Sequence, residues 1–306
     1  MGQWKSTARK ALFLGALVLL FWPPGDRAQP RLYDDGNGAA LVVEDVRILG
    51  PSWGYTLATK IVRPRGPGPF GAIVLNHGVP VSAQARSRES PELLLTTAAI
   101  LARRGYAVVM PLRRGFGATG GVFAEDAGSC AAPDYAAGEA AAADDIMVAY
   151  DFARRLPYVD AKRMILAGQS AGAVASLYAA ATREPKGVLA VLAFAPGMGG
   201  DPQRHPGEAC AAVALGELFT QLGAEVKVPV LFHYAANDLF FNAATSRGWF
   251  ERFRRGGARA EYVLQPAFGA NGHYVFTDGA GARYWLPALD RFLRANGVAF
   301  TSKQAA

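Results

Sequence analysis

Arg163-Met164-Ile165-Leu166-Ala167-Gly168-Gln169-Ser170-Ala171-Gly172-Ala173-Val174 is the stretch that decides how this chain is read. Residues 163–167 form a short apolar run of strand type, and Ala171–Thr182 carries a helical pattern. Between them Gly168–Gly172 spells G-x-S-x-G, in the strand–turn–helix setting that a nucleophile elbow requires. So tight a turn leaves no room for side chains on either flank of the serine, and glycine supplies none. Ser170 is thereby expected at the carboxyl end of a sheet. The N–H groups of the following helix would face a developing oxyanion there.

Outward from this stretch, strands and helices alternate. Leu41–Leu49 and residues 55–62 read as strands joined by a turn at Gly50, Pro51 and Gly54, an antiparallel start. Residues 72–75, 106–110, Val188–Phe194, 228–234 and 260–264 read as buried strands. Residues 91–104, 134–156, 209–222, Ala243–Arg255 and 280–295 read as helices. Ser90 is the expected cap of the first of these and Gly105 its stop. The alternation predicts an α/β fold, a mostly parallel sheet with helices on both faces. No change of composition divides residues 29–306, so they read as one domain.

A serine hydroxyl needs a base, and the chain has four histidines. His77 stands beside Gly78 and precedes Ser170. His205 lies in a Gly/Pro-rich loop, residues 197–208. His233 lies inside an apolar strand, where a satisfied core histidine is the expectation. His273 lies among small residues, 269–273, after the last strand, and is the expected base, with His205 as its rival. The base needs a carboxylate to hold its tautomer. Asp238, just past the strand at 228–234, is the expected one, with Asp201 and Glu208 as rivals. Arg113 and Arg114 end another strand; Arg114 either binds a substrate carboxylate or braces its own loop, the second being favoured. Asp144 and Asp145 read as solvated or helix-capping residues.

These motifs together resemble the α/β-hydrolase superfamily. The resemblance covers roughly residues 40–296. It rests on Asn76-His77-Gly78-Val79, Arg114-Gly115-Phe116-Gly117, Gly168–Gly172, Asn237-Asp238 and Gly272-His273. Within the superfamily the chain is most similar to the dienelactone-hydrolase-related group. Its best-known members carry a cysteine where this chain has Ser170, which argues against lactone hydrolysis itself. The resemblance implies a central sheet of about eight strands and a small cap or none. It implies a Ser170–Asp238–His273 triad, in that chain order. It also implies an oxyanion hole from the backbone N–H groups of Ala171 and Val79, with His77 holding that loop. The implied activity is hydrolysis of a small-molecule carboxylic ester through an acyl-enzyme, with no metal or organic cofactor. The alternatives are a serine peptidase of prolyl-peptidase type, acyl transfer to an acceptor other than water, and a membrane-tethered binding module without catalysis. Dehalogenase and epoxide-hydrolase chemistry is disfavoured, because it needs a carboxylate where Ser170 stands.

The remaining signals are addresses and exclusions. Residues 1–10 carry Lys5, Arg9 and Lys10 without an acid, and residues 11–22, ALFLGALVLLFW, are an unbroken apolar run closed by Pro23-Pro24-Gly25. That is a signal-peptide pattern over residues 1–28, and it predicts an exported protein, periplasmic or extracellular. Asp26 makes the cleavage site at Ala28 poor, so an uncleaved membrane anchor through residues 11–22 is the alternative. The Met1-Gly2…Ser6 pattern for myristoylation is permissive and carries little weight beside it. Export would permit a disulfide between the two cysteines, Cys130 and Cys210, which would tie the 115–133 and 197–208 segments together; sequence leaves pairing open. The net charge is +7, but its basic runs are scattered doublets, so nucleic acid is not an expected partner. With 51% hydrophobic and 19% charged residues, general disorder is excluded. No repeat, heptad or CxxC spacing is present.

Overall fold

Residues 28–50, 54–298 and 300 are described in the computed structural model. The expected leader over residues 1–28, with its apolar run at 11–22, lies outside the described residues except for Ala28. Among the described residues no helix is long and apolar enough to cross a membrane.

The strands are β1 (Arg31–Tyr33), β2 (Leu41–Leu49), β3 (Thr56–Arg63), β4 (Phe70–Asn76), β5 (Tyr106–Pro111), β6 (Val159–Gln169), β7 (Val188–Phe194), β8 (Gly200–Asp201), β9 (His205–Ala209), β10 (Val230–Ala235) and β11 (Ala260–Gln265). The helices are α1 (Ala83–Arg86), α2 (Leu95–Ala102), α3 (Tyr135–Ala153), α4 (Ala171–Thr182), α5 (Ala212–Glu225), α6 (Ala243–Arg255) and α7 (Ala282–Ala295). Nine strands form one sheet in the order β1-β2-β3-β5-β4-β6-β7-β10-β11. From β5 onward neighbouring strands are parallel, while β1, β2 and β3 add an antiparallel edge. The ninth strand, against about eight expected, is β1. Three residues are too short for any periodicity, and only pairing with Leu41–Val43 makes them a strand.

Side chains of a strand alternate between faces, so the sheet separates two cores. Ala72, Val74, Leu166 and Val191 face α3, α4, α5 and α6. Ile73, Leu75, Ile165 and Leu192 face α2 and α7. Ala-rich α3 and α4 suit the crowded first face: Ala142, Ala149, Ala173 and Ala179 are fully buried, and short side chains let the helices approach closely. Burial on both faces explains why β4, β5 and β7 read as continuous apolar runs.

Two expectations need correction here. β6 begins at Val159 rather than residue 163: Val159 pairs with Phe70, and the residues up to Arg163 are polar or half-buried and carry no apolar run. α5 begins at Ala212 rather than residue 209. Residues 205–209 are instead β9, paired with β8 in a small hairpin. This hairpin is all that stands between β7 and α5 as a cap.

Candidate active site

The parallel strands end at one edge, and their carboxyl ends carry the predicted residues. β6 passes through Gln169 into Ser170, whose backbone is left-handed at φ 58° and ψ −128°. A non-glycine residue there is strained, and the surroundings hold it in place. A Cβ on Gly168 would lie 2.2 Å from the carbonyl oxygen of Gly172. One on Gly172 would lie 2.1 Å from that of His77. The glycines of the motif are therefore steric necessities. The Ser170 N–H donates to the Phe194 carbonyl at 2.9 Å, which fixes the turn against β7. Asn76, fully buried, donates to the Ala167 carbonyl and to Ser176 Oγ, clamping β4, β6 and α4 together below it.

Asp238 and His273 meet on the other side of the edge. His273 Nδ1 lies 2.9 Å from Asp238 Oδ2, with both side chains buried. Asp238 Oδ1 accepts the N–H groups of Phe240 and Phe241, so the carboxylate is fixed at both oxygens. The Phe240 ring stacks on the imidazole with centroids 4.1 Å apart. Two asparagines brace this loop pair, a role that sequence reasoning did not assign to either. Asn271 Oδ1 accepts from Leu239 N and His273 N; Asn237 bonds the backbone at Phe268 and Gly269. Their signal was present in principle, since Asx residues in short loops commonly bond nearby backbone.

Ser170 and His273 line one cavity of about 810 Å³. Ser170 also lines a second cavity of about 310 Å³, together with Ala171, Met198 and Phe241. Ala171 opens α4, and a first-turn N–H has no acceptor inside its own helix. Val79 lines both cavities.

None of the rivals is hydrogen-bonded to the Asp238–His273 pair among the described residues. His205 is exposed on β9, and Glu208 is exposed beside it. Asp201 lines both cavities, but its carboxylate accepts the N–H groups of Gln203 and Arg204 in a local turn. His233 is buried in the core; neither ring nitrogen has a hydrogen-bond partner among the described residues, and burial lowers its pKa to about 4.

His77 holds its loop. Its Nε2 accepts the Arg113 N–H at 3.2 Å, so its Nδ1 carries the proton toward the Gly78 carbonyl, 2.7 Å away. Burial and then the Arg113 charge push its pKa well down. Arg113 is fully buried and forks onto both oxygens of Glu125, while also donating to the His77 carbonyl at 2.9 Å. Burial opposes the guanidinium charge, but the Glu125 carboxylate more than offsets that and raises the Arg113 pKa. Arg114 braces its own loop, the favoured of its two expected roles. It donates to the Ala141 carbonyl on α3 and pairs with Asp145 at 3.3 Å, and it lines neither cavity at Ser170. Asp145 departs from expectation. It is fully buried and accepts from the Tyr55 hydroxyl and the Arg114 N–H, whereas Asp144 pairs with Arg183 at the surface.

Cys130 and Cys210 form a disulfide, with Cα atoms 5.5 Å apart. It joins the 115–133 segment to the chain just after the β8–β9 hairpin, the tie that export would permit.

Residues 92–196, which include Ser170 but neither Asp238 nor His273, match the sequence model of the prolyl oligopeptidase family. No curated protein sequence gives a significant match. Several solved structures share the architecture. An acetyl xylan esterase from Paenibacillus sp. R4 is 20% identical, with TM-score 0.58 over 87% of this chain and 88% of that one. A Klebsiella pneumoniae protein described as a dienelactone hydrolase is 16% identical, with TM-score 0.58 over 84% and 99%. An acylaminoacyl peptidase from Pyrococcus horikoshii is 14% identical, with TM-score 0.54; 91% of this chain matches 43% of that longer one. By sheet order, by the turn at Ser170 and by these likenesses, the chain has the α/β-hydrolase fold.

Proposed function

We propose that this protein is a serine hydrolase that cleaves a carboxylic ester through an acyl-enzyme on Ser170. The observation that carries the reading is the buried 2.9 Å contact between His273 Nδ1 and Asp238 Oδ2, in a loop pair whose histidine shares a cavity with a strained Ser170. Asp238 holds Nδ1–H, which leaves Nε2 free as the base. His273 takes the hydroxyl proton as Ser170 Oγ attacks the ester carbonyl, and returns it to the leaving alcohol. The Ala171 and Val79 N–H groups hold the oxyanion; one such donor contributes about 2.7–4 kcal/mol to lowering the barrier. Water, deprotonated by His273, then releases the acid. None of these steps calls for a metal or organic cofactor.

Peptide cleavage is the second reading, and the family match over residues 92–196 favours it. Turnover of matched ester and amide substrates separates the two. The ester reading expects hydrolysis of simple esters, abolished in Ser170→Ala, with no cleavage of prolyl or acylamino peptides. Peptide cleavage exceeding ester cleavage in kcat/KM would replace it. Export is proposed with this function: the leader pattern and the Cys130–Cys210 disulfide both support an oxidising compartment.

A further inference from the structure

Ser170 lies at the junction of two cavities that differ in size, chemistry and catalytic neighbours. The larger one contains His273, and the smaller one does not. The smaller one contains Ala171, and the larger one does not. In acyl transfer the imidazole must protonate the leaving oxygen, so the leaving group departs on the histidine side. The acyl chain, which stays on Ser170 after the alcohol has gone, extends to the opposite side. On the Ser170 reading above, on which this inference rests, we propose that the two cavities are the two substrate subsites. The acyl chain occupies the smaller, disulfide-bounded cavity, and a bulkier, partly apolar alcohol bearing a hydrogen-bond donor occupies the larger.

The walls agree with that division. The smaller cavity, about 310 Å³, is bounded by Tyr135, Met198, Phe241 and both cysteines, and the disulfide ties the segments that form it. The larger, about 810 Å³, is lined by Leu93 and Tyr274, large apolar side chains left exposed and absent from the smaller cavity. Exposed apolar side chains gathered at one cavity mark a binding surface. Among them lies Glu89, whose carboxyl makes no hydrogen bond or ion pair among the described residues. Burial raises its pKa to about 7, with the Arg113 charge acting against the rise. An unpartnered carboxyl beside Leu93 and Leu94 recognises a hydroxyl or amino group on the bound alcohol.

Isomeric esters test the assignment, with rates normalised to their hydroxide-catalysed hydrolysis. Cyclohexyl acetate should be cleaved at least about tenfold faster in kcat/KM than methyl cyclohexanecarboxylate, given what misplaced apolar bulk does to selectivity. Two variants divide the steps. Ala127→Leu narrows the smaller cavity. It should slow deacylation by one factor for every alcohol of a given acid, because the acyl-enzyme no longer carries the alcohol. Leu93→Trp narrows the larger one. It should change kcat/KM with alcohol size and leave the deacylation rate unaltered. Glu89→Leu should lower kcat/KM for a 2-hydroxycyclohexyl ester relative to the plain cyclohexyl ester. The reverse isomer preference, or an alcohol-dependent effect of Ala127→Leu, overturns the subsite assignment while leaving the serine mechanism standing. Absence of a quench-trapped acyl group on Ser170 during turnover overturns the serine mechanism itself.

Discussion

The floor and the walls of the site are built by different means. The floor is the carboxyl edge of parallel strands, where Ser170, Asp238 and His273 each leave a strand or its loop within a few residues. Its geometry follows from close backbone approach and short polar links: a turn that admits only glycine, and two loops laced to each other by Asn237 and Asn271. The walls are segments far apart in sequence, held by long-range links. Arg113 grips Glu125 and the His77 carbonyl, and the disulfide spans 80 residues. The lesson is that the floor is fixed by backbone packed tightly at a few turns, while the walls depend on a buried ion pair and a disulfide.

Substitutions on the two sides should therefore fail differently. The largest effect belongs to the floor. Asp238→Asn keeps the packing but favours the wrong imidazole tautomer, so kcat should fall about 10⁴-fold with Tm nearly unchanged. Gly172→Ala forces a methyl group onto the His77 carbonyl, 2.1 Å from the ideal Cβ position. It should destabilise the fold by about 3 kcal/mol or more, read by chemical denaturation, and take activity with it. In the walls, Glu125→Gln leaves buried Arg113 without its carboxylate. A loss of about 3–5 kcal/mol is expected. Replacing both cysteines by serine should lower stability by about 2–5 kcal/mol and slow deacylation more than acylation. Arg114→Ala should be the mildest: KM for anionic and neutral esters unchanged within about twofold, with a small loss of Tm from its partly exposed pairing with Asp145.

The core adds a pH dependence. His77 and His233 are buried with pKa values below the ordinary one, so the folded state binds fewer protons than the unfolded chain. Their contribution is fully present above the unfolded pKa near 6.5. It falls by about 1.4 kcal/mol per pH unit per histidine as pH drops toward each folded value. His233→Leu, which removes ring nitrogens without hydrogen-bond partners among the described residues, should flatten the loss of Tm between pH 7 and pH 5. An unchanged slope would assign that loss to other groups.

What sequence revealed divides along the same line. Gly168–Gly172 is legible because its requirement is local: two missing Cβ atoms between a strand and a helix. Asp238 and His273 are legible by their positions past strand ends, and the structure brings them together. The core of the sheet is legible because β4, β5 and β7 are apolar almost throughout. β1 was not, since three residues carry no period. The β8–β9 hairpin hid in a Gly/Pro-rich loop because a two-residue strand exists only through its partner. Arg114 and Asp145 show the same limit. Which of two neighbouring acids is buried depends on Tyr55, 90 residues away. Neither cavity was legible, since each is enclosed by segments from several parts of the chain.

The central claim, an activated serine at residue 170, is tested most directly by intact mass after treatment with a fluorophosphonate probe, on wild type and Ser170→Ala. A single adduct on wild type that maps to Ser170, and is absent from the variant, is the predicted result. No adduct on folded wild-type protein, or an adduct that persists in Ser170→Ala, would contradict it.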